Sequence, residues 1–334
     1  MSNQRIRFYQ TGTLTVSNRL LDPTSRTVQA SIDRSNALTS GHRACQGCGE
    51  ALGARWVLDA AMRVTSGNLV AVNATGCLEV FTTPYPESAW QLPWLHSLFA
   101  NAAPVATGVA AAMRVKGKPV RVIAQGGDGG TTDIGFGCLS GMFERNDDVL
   151  YVCYDNEAYM NTGVQRSSAT PPAARTATTP AIGPEPGNEF GQGKSVPLIA
   201  MAHGIPYVAT ASVADLHDLE AKVERAMAMH GARYLHVHVP CPLGWGTPPD
   251  ATLRVARLAV QCGLFPLFEA EHGELTHSTA IRKHEPVDAY LRCQQRFAHL
   301  FAGGSVDADR VAKLQAIADR NIARFRLLRS EGVE

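Results

Sequence analysis

The sequence lacks three features that would place it in a specialised class of protein. No apolar run approaches the roughly 20 residues of a membrane-spanning helix. The first ten residues lack the apolar core of a secretory signal peptide. Neither sign of charge is in excess, since 31 basic and 30 acidic side chains leave a net charge of +1. We therefore expect no membrane and no nucleic acid among the partners, and a cytoplasmic location.

The composition is that of a globular protein. The chain has 334 residues, of which 45% are hydrophobic and 18% are charged, so it can bury a large core as one domain or two. It also contains eight cysteines. In a cytoplasmic protein these indicate metal binding, redox chemistry or buried thiols before disulfides.

Hydrophobic patterning divides the chain into three segments. Residues 1–40 are polar and aperiodic, and predict an extended arm. Residues 41–248 alternate short apolar runs with amphipathic stretches, which predicts a doubly wound, mostly parallel α/β sheet. Residues 249–334 predict a mainly helical C-terminal extension. Within the middle segment, residues 80–99 predict a shaped loop without regular structure, and residues 165–193 predict a long ordered loop near the site.

A glycine-rich turn follows the predicted strand Val120 to Ala124. The turn, Gly126-Gly127-Asp128-Gly129-Gly130, leads into a helical segment. Glycines allow the backbone to approach a phosphate closely, and the N-terminus of a helix favours an anion. Asp128 adds a hard oxygen that suits Mg²⁺ bridging to that phosphate. A second predicted strand, Val149 to Tyr154, ends just before Asn156, which offers another oxygen ligand.

This pattern resembles the thiamine diphosphate motif, in which Gly-Asp-Gly is followed by an asparagine. Here Asn156 stands 28 positions after Asp128. A lone Gly-Asp-Gly is more often a plain turn. The strand before it, the helix after it and the asparagine after a second strand favour the motif over an ordinary βαβ turn.

Four polar or metal-binding residues each follow a predicted strand. They are Cys77, Asp128, Asn156 and Cys241. In open parallel sheets, ligands bind at the carboxyl ends of the strands. The four residues are therefore expected to meet at one edge of the sheet, which predicts a site there.

Four of the cysteines suit a metal site. Cys45-x-x-Cys48 alone could be a redox pair, half of a zinc site or half of an iron–sulfur site. Cys77 and Cys241 fall on the presumed active edge, which suits four-thiolate ligation of an iron–sulfur cluster. Zinc would also accept four thiolates, so both metals remain open from the residues alone. The other cysteines are predicted to be buried small hydrophobes; they are Cys138, Cys153, Cys262 and Cys293.

Taken together, the motifs resemble those of the β subunit of 2-oxoacid:ferredoxin oxidoreductases, with the pyruvate enzyme the most similar. The resemblance covers residues 40–300. It is carried by His42-Arg43-Ala44-Cys45-x-x-Cys48-Gly49-Glu50, Thr75-Gly76-Cys77-Leu78-Glu79, Gly127-Asp128-Gly129, the segment Asp155 to Gly163, and Pro240-Cys241-Pro242. It implies that residues 41–248 are a thiamine diphosphate-binding domain of the pyrophosphate-binding type.

The resemblance also implies roles for individual residues. Cys45, Cys48, Cys77 and Cys241 would hold a [4Fe–4S] cluster, which demotes zinc. Mg²⁺ would be bound by the side chains of Asp128 and Asn156 and by the carbonyl of Ala158. Thiamine diphosphate would be contacted by Glu50, Cys77, Gly129, Gly130, Thr131 and Asn161, of which Glu50 and Asn161 would be catalytic. Relatives in which the whole enzyme is one chain have bulkier residues than Gly130-Thr131-Thr132, so the substrate stays open.

The implied activity is the oxidative decarboxylation of a 2-oxoacid, with pyruvate favoured, to acyl-coenzyme A and CO₂, with electrons passed to the cluster. Only one cofactor-binding α/β unit is found in the sequence. The resemblance therefore implies an α subunit that completes the active site, γ and ferredoxin-like δ subunits, and ferredoxin or another acceptor. Three alternatives remain: a branched-chain or aryl 2-oxoacid such as phenylglyoxylate, a non-redox thiamine diphosphate decarboxylase, and a zinc-stabilised assembly subunit without catalysis.

Overall fold

The computed structural model describes residues 7–8, 14–15, 36–39, 41–83, 88–183 and 185–328. It comprises two compact units, Met1–Asn36 and Ala37–Glu334. In the first unit, strands β1 (Arg7–Phe8) and β2 (Leu14–Thr15) pair antiparallel. Most of the predicted arm, residues 1–40, lies outside the described residues.

The second unit is built on a sheet that has eight strands among the described residues, in the order β10-β9-β7-β8-β6-β5-β3-β4. Strands β3 to β8 run parallel, whereas β9 and β10 are antiparallel. This architecture confirms the doubly wound, mostly parallel α/β prediction. The strands are β3 (Leu69–Ala74), β4 (Trp94–Ser97), β5 (Arg121–Gly127), β6 (Leu150–Asp155), β7 (Tyr207–Ser212), β8 (Arg233–His238), β9 (Phe268–Glu271) and β10 (Glu274–Ser278).

The helices flank this sheet in the expected alternation with the strands. The first five are α1 (Gly49–Val64), α2 (Cys77–Thr82), α3 (Ala102–Val115), α4 (Phe136–Glu144) and α5 (Val196–Ala202). They are followed by α6 (Leu216–Ala228), α7 (Pro242–Trp245), α8 (Thr252–Gln261), α9 (Val287–Arg292) and α10 (Ala308–Phe325). A π-helical turn spans Gly129–Ile134, and 3₁₀ segments span Pro249–Ala251 and Gln295–Gly304. None of the helices in the described part of the chain combines the length and hydropathy needed to cross a bilayer.

Two local expectations are wrong. Residues 80–99 contain strand β4, which the aromatic- and proline-rich composition conceals because this edge strand is only half-buried and pairs with β3 alone. The pattern Ser212-Val213-Ala214-Asp215 predicts a capping box at the start of a helix, but Ser212 does not cap α6, since it is paired with His238 as the last residue of β7. Asp215 is the cap instead, and its carboxylate accepts a hydrogen bond from the Asp218 N–H at 3.1 Å.

The C-terminal extension packs against the same body through its own hydrophobic core, which includes Trp245, Phe297 and Leu314. Its β9–β10 hairpin adds two strands to the sheet beside β7. In the long loop, residues 165–193, the described residues contain no helix or strand. One of its amides, Arg175 N–H, donates to the carbonyl of Arg296 at 2.9 Å. The predicted boundary after residue 248 stays a prediction.

Candidate active site

The carboxyl ends of four neighbouring parallel strands carry the predicted site residues. Cys77 follows β3, Asp128 follows β5, Asn156 follows β6 and Cys241 follows β8. These strands are adjacent in the order β8-β6-β5-β3. The parallel register therefore brings all four residues to one edge of the sheet, as the sequence predicts.

The glycine turn after β5 is packed against aromatic rings. Asp128 leads directly into the π-helical turn Gly129–Ile134, a conformation that is frequent at functional sites. A Cβ at Gly129 would collide with the ring of Tyr159, and one at Gly130 would lie 3.2 Å from the ring of Phe99. These two rings contact each other edge to face, with centroids 5.8 Å apart. Glycine is thus required in this turn for close packing.

Asp128 is buried at the start of this turn, where its side chain is 1% exposed. Ser167 Oγ of the long loop donates a hydrogen bond to its carboxylate. Burial raises the pKa of Asp128 well above its ordinary value, and the negative charges of Asp155 and Glu157 raise it further. A buried carboxylate facing other carboxylates needs a proton or a cation nearby. The position therefore fits a bound divalent cation.

Asn156 supplies a second oxygen at the end of β6. Its Oδ1 is buried and has no hydrogen-bond partner among the described residues. Its Nδ2 donates to Glu50 Oε2 at 3.3 Å, so the free oxygen is directed elsewhere. The Ala158 carbonyl accepts from Met160 N–H at 2.9 Å, which leaves it one lone pair. The amide oxygen of Asn156 is thus available to a metal ion.

Glu50 lies between Asn156, which is predicted to bind Mg²⁺, and the cysteines. It lies in the first turn of α1 and is 3% exposed. Burial raises the pKa of Glu50 to about 8, against the opposing effect of hydrogen bonds from the Leu78 backbone and the Asn156 side chain. Its carboxyl group therefore stands beside Asn156 and next to the residue that follows Cys77.

Backbone contacts join the segment that contains Cys45 and Cys48 to the turn that contains Cys241. Cys48 caps α1, and Cys241 caps α7. Gly49 N–H donates to the Pro240 carbonyl at 3.1 Å, and a Cβ at Gly49 would lie 2.6 Å from that oxygen. Cys45-x-x-Cys48 is thereby held against the turn that carries Cys241, although the two segments are far apart in the chain.

The four thiols lie within electrostatic range of one another. Burial raises the pKa of Cys77 above its ordinary value, and the negative charges of Glu50, Cys241, Cys48 and Cys45 add to this effect. Burial likewise raises the pKa of Cys48 to about 12, with Glu50 and Cys241 contributing. Among the described residues, no group of three or more His, Cys, Asp or Glu side chains is arranged to hold a metal ion. The structure thus brings the four cysteines near one another without arranging them as a complete set of metal ligands.

The remaining predicted residues are placed differently. Thr131 is buried, and its hydroxyl donates to the Gly127 carbonyl at 2.7 Å, so only its backbone is free for a ligand. Asn161 is exposed on the turn after β6. Among the other cysteines, Cys153 and Cys262 are buried as expected and Cys293 is partly buried. The expectation is wrong for Cys138, which is exposed because α4 buries Leu139, Met142 and Phe143 instead.

A buried polar network next to Asn156 was missed by sequence reasoning. Asp155 Oδ2 lies 2.8 Å from His236 Nε2, and Tyr234 Oη lies 2.6 Å from His236 Nδ1. Asp155 Oδ1 accepts from Glu157 N–H at 2.8 Å. The polar residues at every second position of β8 were the available signal, since they share one face of the strand. No sequence pattern predicted the contact of Ser167 with Asp128, because the composition of a loop does not determine its path.

Glu157 and the C-terminal extension hold the segment that contains Asn156 in place. Glu157 has a left-handed backbone with φ of 66°, a strained conformation that recurs at functional sites. Arg296 pairs with its carboxylate and also stacks over Trp245 at 3.8 Å. Trp245 Nε1 donates to the Asn156 carbonyl at 2.9 Å. The extension thus positions the segment that carries Asn156.

Comparisons with known proteins identify a matching family model and related chains. Residues 74–237 match the family model of the thiamine pyrophosphate enzymes, C-terminal TPP binding domain. The chain is 50% identical over 294 residues to the pyruvate synthase subunit PorB of Methanosarcina barkeri, covering 87% of this chain and 97% of that subunit. It is 43% identical over 269 residues to the ketoisovalerate oxidoreductase subunit VorB of Pyrococcus abyssi, covering 78% and 85% of the two chains.

A solved structure agrees with these relatives. The 2-oxoglutarate:ferredoxin oxidoreductase of Magnetococcus marinus, with 2-oxoglutarate, coenzyme A and succinyl-CoA bound, aligns with a TM-score of 0.53 and 26% identity. The alignment covers 63% of this chain and 67% of that chain. Sequence and fold comparisons therefore point to related enzymes.

Proposed function

Because this chain belongs to the family of pyruvate synthase PorB subunits, we propose that it forms the thiamine diphosphate-binding part of a 2-oxoacid:ferredoxin oxidoreductase. The reaction is the oxidative decarboxylation of a 2-oxoacid, with pyruvate favoured, to acyl-coenzyme A and CO₂. The observation that carries the proposal is the meeting of Asp128, Asn156, Glu50 and four cysteines at one sheet edge.

Thiamine diphosphate, when bound, supplies the electron sink that decarboxylation of a 2-oxoacid requires. The residues present fit this cofactor. The backbone of Gly129, Gly130 and Thr131 lines the turn for the diphosphate. Mg²⁺ is assigned to Asp128, Asn156 and the Ala158 carbonyl. The strongest support is the uncommitted Oδ1 of Asn156, since a buried oxygen without a partner is costly unless a ligand satisfies it.

A [4Fe–4S] cluster is assigned to Cys45, Cys48, Cys77 and Cys241. The donor set fits because four thiolates are the usual ligands of such a cluster. Burial raises the pKa of Cys77, and the charges of Glu50 and of the other three cysteines raise it further; bound iron would stabilise the thiolates against both effects. A cluster is favoured over zinc because an oxidoreductase of this family must deliver electrons to an acceptor.

Glu50 and Asn161 are assigned to the chemistry itself. Glu50 stands between Asn156 and the cysteines, and its pKa of about 8 lets it hold a proton at neutral pH. Asn161 is exposed beside the metal-bearing segment, where a substrate carboxylate or the partner subunit can reach its amide. Both roles are proposals that rest on position and on family resemblance.

The chain is proposed to act within a complex. The α subunit would supply the other half of the cofactor site, γ and ferredoxin-like δ subunits would extend the complex, and ferredoxin or another acceptor would take the electrons. Apolar side chains near the active edge support a partner surface, since Leu98 is 74% exposed and Leu243 is 76% exposed. The cytoplasm is the proposed location.

The test is an activity assay of the complex purified with its natural partners under anaerobic conditions. Pyruvate, 2-oxoisovalerate, 2-oxoglutarate and phenylglyoxylate are each supplied with coenzyme A and a dye acceptor. We expect coenzyme A-dependent dye reduction, fastest with pyruvate. Release of CO₂ without dye reduction would indicate a non-redox decarboxylase, and no turnover with any 2-oxoacid would contradict the proposal.

A further inference from the structure

A cavity of about 380 Å³ is lined by residues of β6, β8, the long loop and the C-terminal extension. Its volume falls within the roughly 300–1,000 Å³ range of small-molecule pockets. None of the residues assigned to thiamine diphosphate, Mg²⁺ or the cluster lines it. It is therefore separate from the cofactor site, although Asp155 and Glu157, which flank Asn156, form part of its wall.

One of the residues that line the cavity is a histidine without hydrogen-bond partners among the described residues. His238 is 0% exposed, and neither ring nitrogen has a hydrogen-bond partner among the described residues. Its nearest charged group, Glu157 Oε1, lies 3.8 Å from Nε2, too far for a hydrogen bond. By contrast, Tyr234 and Asp155 satisfy both nitrogens of its neighbour His236.

The missing hydrogen-bond partners of His238 indicate that a bound ligand, and not the protein itself, satisfies its ring nitrogens. Burial lowers the pKa of His238 to about 3, so the ring is neutral and offers one donor and one acceptor. Leaving such a group buried without hydrogen-bond partners is destabilising. A polar atom of a bound molecule would remove that destabilising effect.

The rim of the cavity is cationic and its walls are apolar. Arg320 and Arg324 lie one turn apart on α10, and both line the cavity while remaining exposed. Neither forms an ion pair with any described residue; Arg320 only donates to Gln192 Oε1 at 3.4 Å. Phe265 and Phe268 contribute aromatic wall. An anion at the rim with an apolar body inside would match this arrangement.

We propose that this cavity binds a small organic carboxylate, with its carboxylate group between Arg320 and Arg324, its apolar body against Phe265 and Phe268, and a polar end at His238. The two arginines, the two phenylalanines and His238 lie on different parts of the fold: α10, the segment from Phe265 to the first residue of β9, and β8. Binding at this site requires neither thiamine diphosphate nor iron, so its outcome is independent of the function proposed above.

The first test uses 4-iodobenzoate as the probe and the full chain as the protein. Isothermal titration is expected to give one site with a dissociation constant below about 1 mM. Anomalous diffraction from a soaked crystal should place the iodine inside the cavity. The neutral analogue 4-iodobenzyl alcohol has the same apolar body and should bind at least about fivefold more weakly.

The second test uses variants of α10. Arg320→Gln combined with Arg324→Gln changes only exposed side chains, so the variant should fold normally and bind 4-iodobenzoate at least about fivefold more weakly. Lys313→Gln, on the exposed face of the same helix, should leave the affinity unchanged. Iodine located elsewhere, only ordered water in the cavity, binding at crystal-soak concentration only, or unchanged affinity in the double variant would each overturn the proposal.

Discussion

Asp128 and Asn156 are both buried in surroundings that do not satisfy their polar side chains. Asp128 faces the negative charges of Asp155 and Glu157, and Asn156 Oδ1 has no partner among the described residues. A divalent cation would satisfy both side chains, because it offsets the negative charges and takes the amide oxygen as a ligand. Neighbouring Ser167 orients the Asp128 carboxylate from the long loop.

Asp128→Asn should separate cofactor binding from stability. The change removes the ionic oxygen ligand, so affinity for thiamine diphosphate with Mg²⁺ should fall more than about 100-fold in isothermal titration. It also removes a buried charge that other carboxylates repel, so the cofactor-free chain should gain about 1–2 kcal/mol in free energy of unfolding.

The control for this prediction is Asp309→Asn, which alters an exposed carboxylate on α10. It should leave cofactor affinity unchanged. Normal cofactor affinity in Asp128→Asn would remove Asp128 from the metal site.

Among the elements, the π-helical turn after β5 depends on glycine for a steric reason. A Cβ at Gly129 would meet the ring of Tyr159, whereas a Cβ at Gly137 on the following helix would meet nothing within 4 Å. Gly129→Ala should therefore lower the free energy of unfolding by about 1–3 kcal/mol through overpacking. Gly137→Ala should be neutral or stabilising by up to about 1 kcal/mol, because alanine favours the helix.

Chemical denaturation of the two alanine variants checks this prediction. The double variant Gly129→Ala/Tyr159→Ala tests its cause, since removal of the ring should restore part of the lost stability relative to Tyr159→Ala alone. Equal stability of the Gly129 and Gly137 variants would show that the ring does not confine the turn.

The opposite edge of the sheet contains a charge cluster at the starts of the strands. Asp148 Oδ1 lies 2.8 Å from Nη1 of Arg233, whose side chain is fully buried at the start of β8. The hydrogen bond from His230 and the charges of Arg233 and Arg121 hold the pKa of Asp148 below its ordinary value, despite burial acting the other way. Loss of Asp148 would leave Arg233 without its carboxylate.

Asp148→Asn should therefore destabilise the chain by about 1–3 kcal/mol at neutral pH, at the lower end because Asp148 is 41% exposed and screened by water. The folded-state pKa is depressed, so the stability from Asp148 is present above its unfolded pKa and is lost as pH falls through the folded value. Denaturation curves of the two proteins should then converge in acid.

Asp288→Asn is the matched control, because Asp288 pairs with Arg292 on the surface with both side chains well exposed. It should change stability by less than about 0.5 kcal/mol at any pH. A constant difference between wild type and Asp148→Asn across the acid range would refute the ionic explanation.

For the molecule as a whole, the sequence predicted what depends on local pattern. Strands β3, β5 and β6 are buried on both faces over most of their length and therefore contain short apolar runs. Edge strands β4 and β10 were not predicted because their exposed positions carry no such run, and β9 was not predicted because two glutamates alternate with its two apolar residues. Asp128 and Asn156 follow strands and could be placed. The alternating polar residues of β8 were a signal for the His236 network, but its pairing with Asp155, like the contact of Ser167 with Asp128, depends on tertiary structure.

The whole-molecule account also predicts that the isolated chain is inactive. Only one cofactor-binding α/β unit is present among the described residues. The full chain, supplied with thiamine diphosphate, Mg²⁺, pyruvate, coenzyme A and a dye acceptor, should show no turnover, and activity should appear when its partner subunits are added. Turnover by the chain alone would contradict the proposed division of the active site.

Four cysteines from distant parts of the chain are proposed to hold one cluster beside the thiamine diphosphate site. This central claim is tested most directly by the iron and sulfide content of the anaerobically purified complex carrying Cys241→Ser. The account predicts lost iron, bleached visible absorbance and failed acceptor reduction, with thiamine diphosphate still bound because Asp128 and Asn156 are unchanged. Cys138→Ser, at an exposed thiol, should behave as wild type. Full iron content and normal acceptor reduction in Cys241→Ser would contradict the claim.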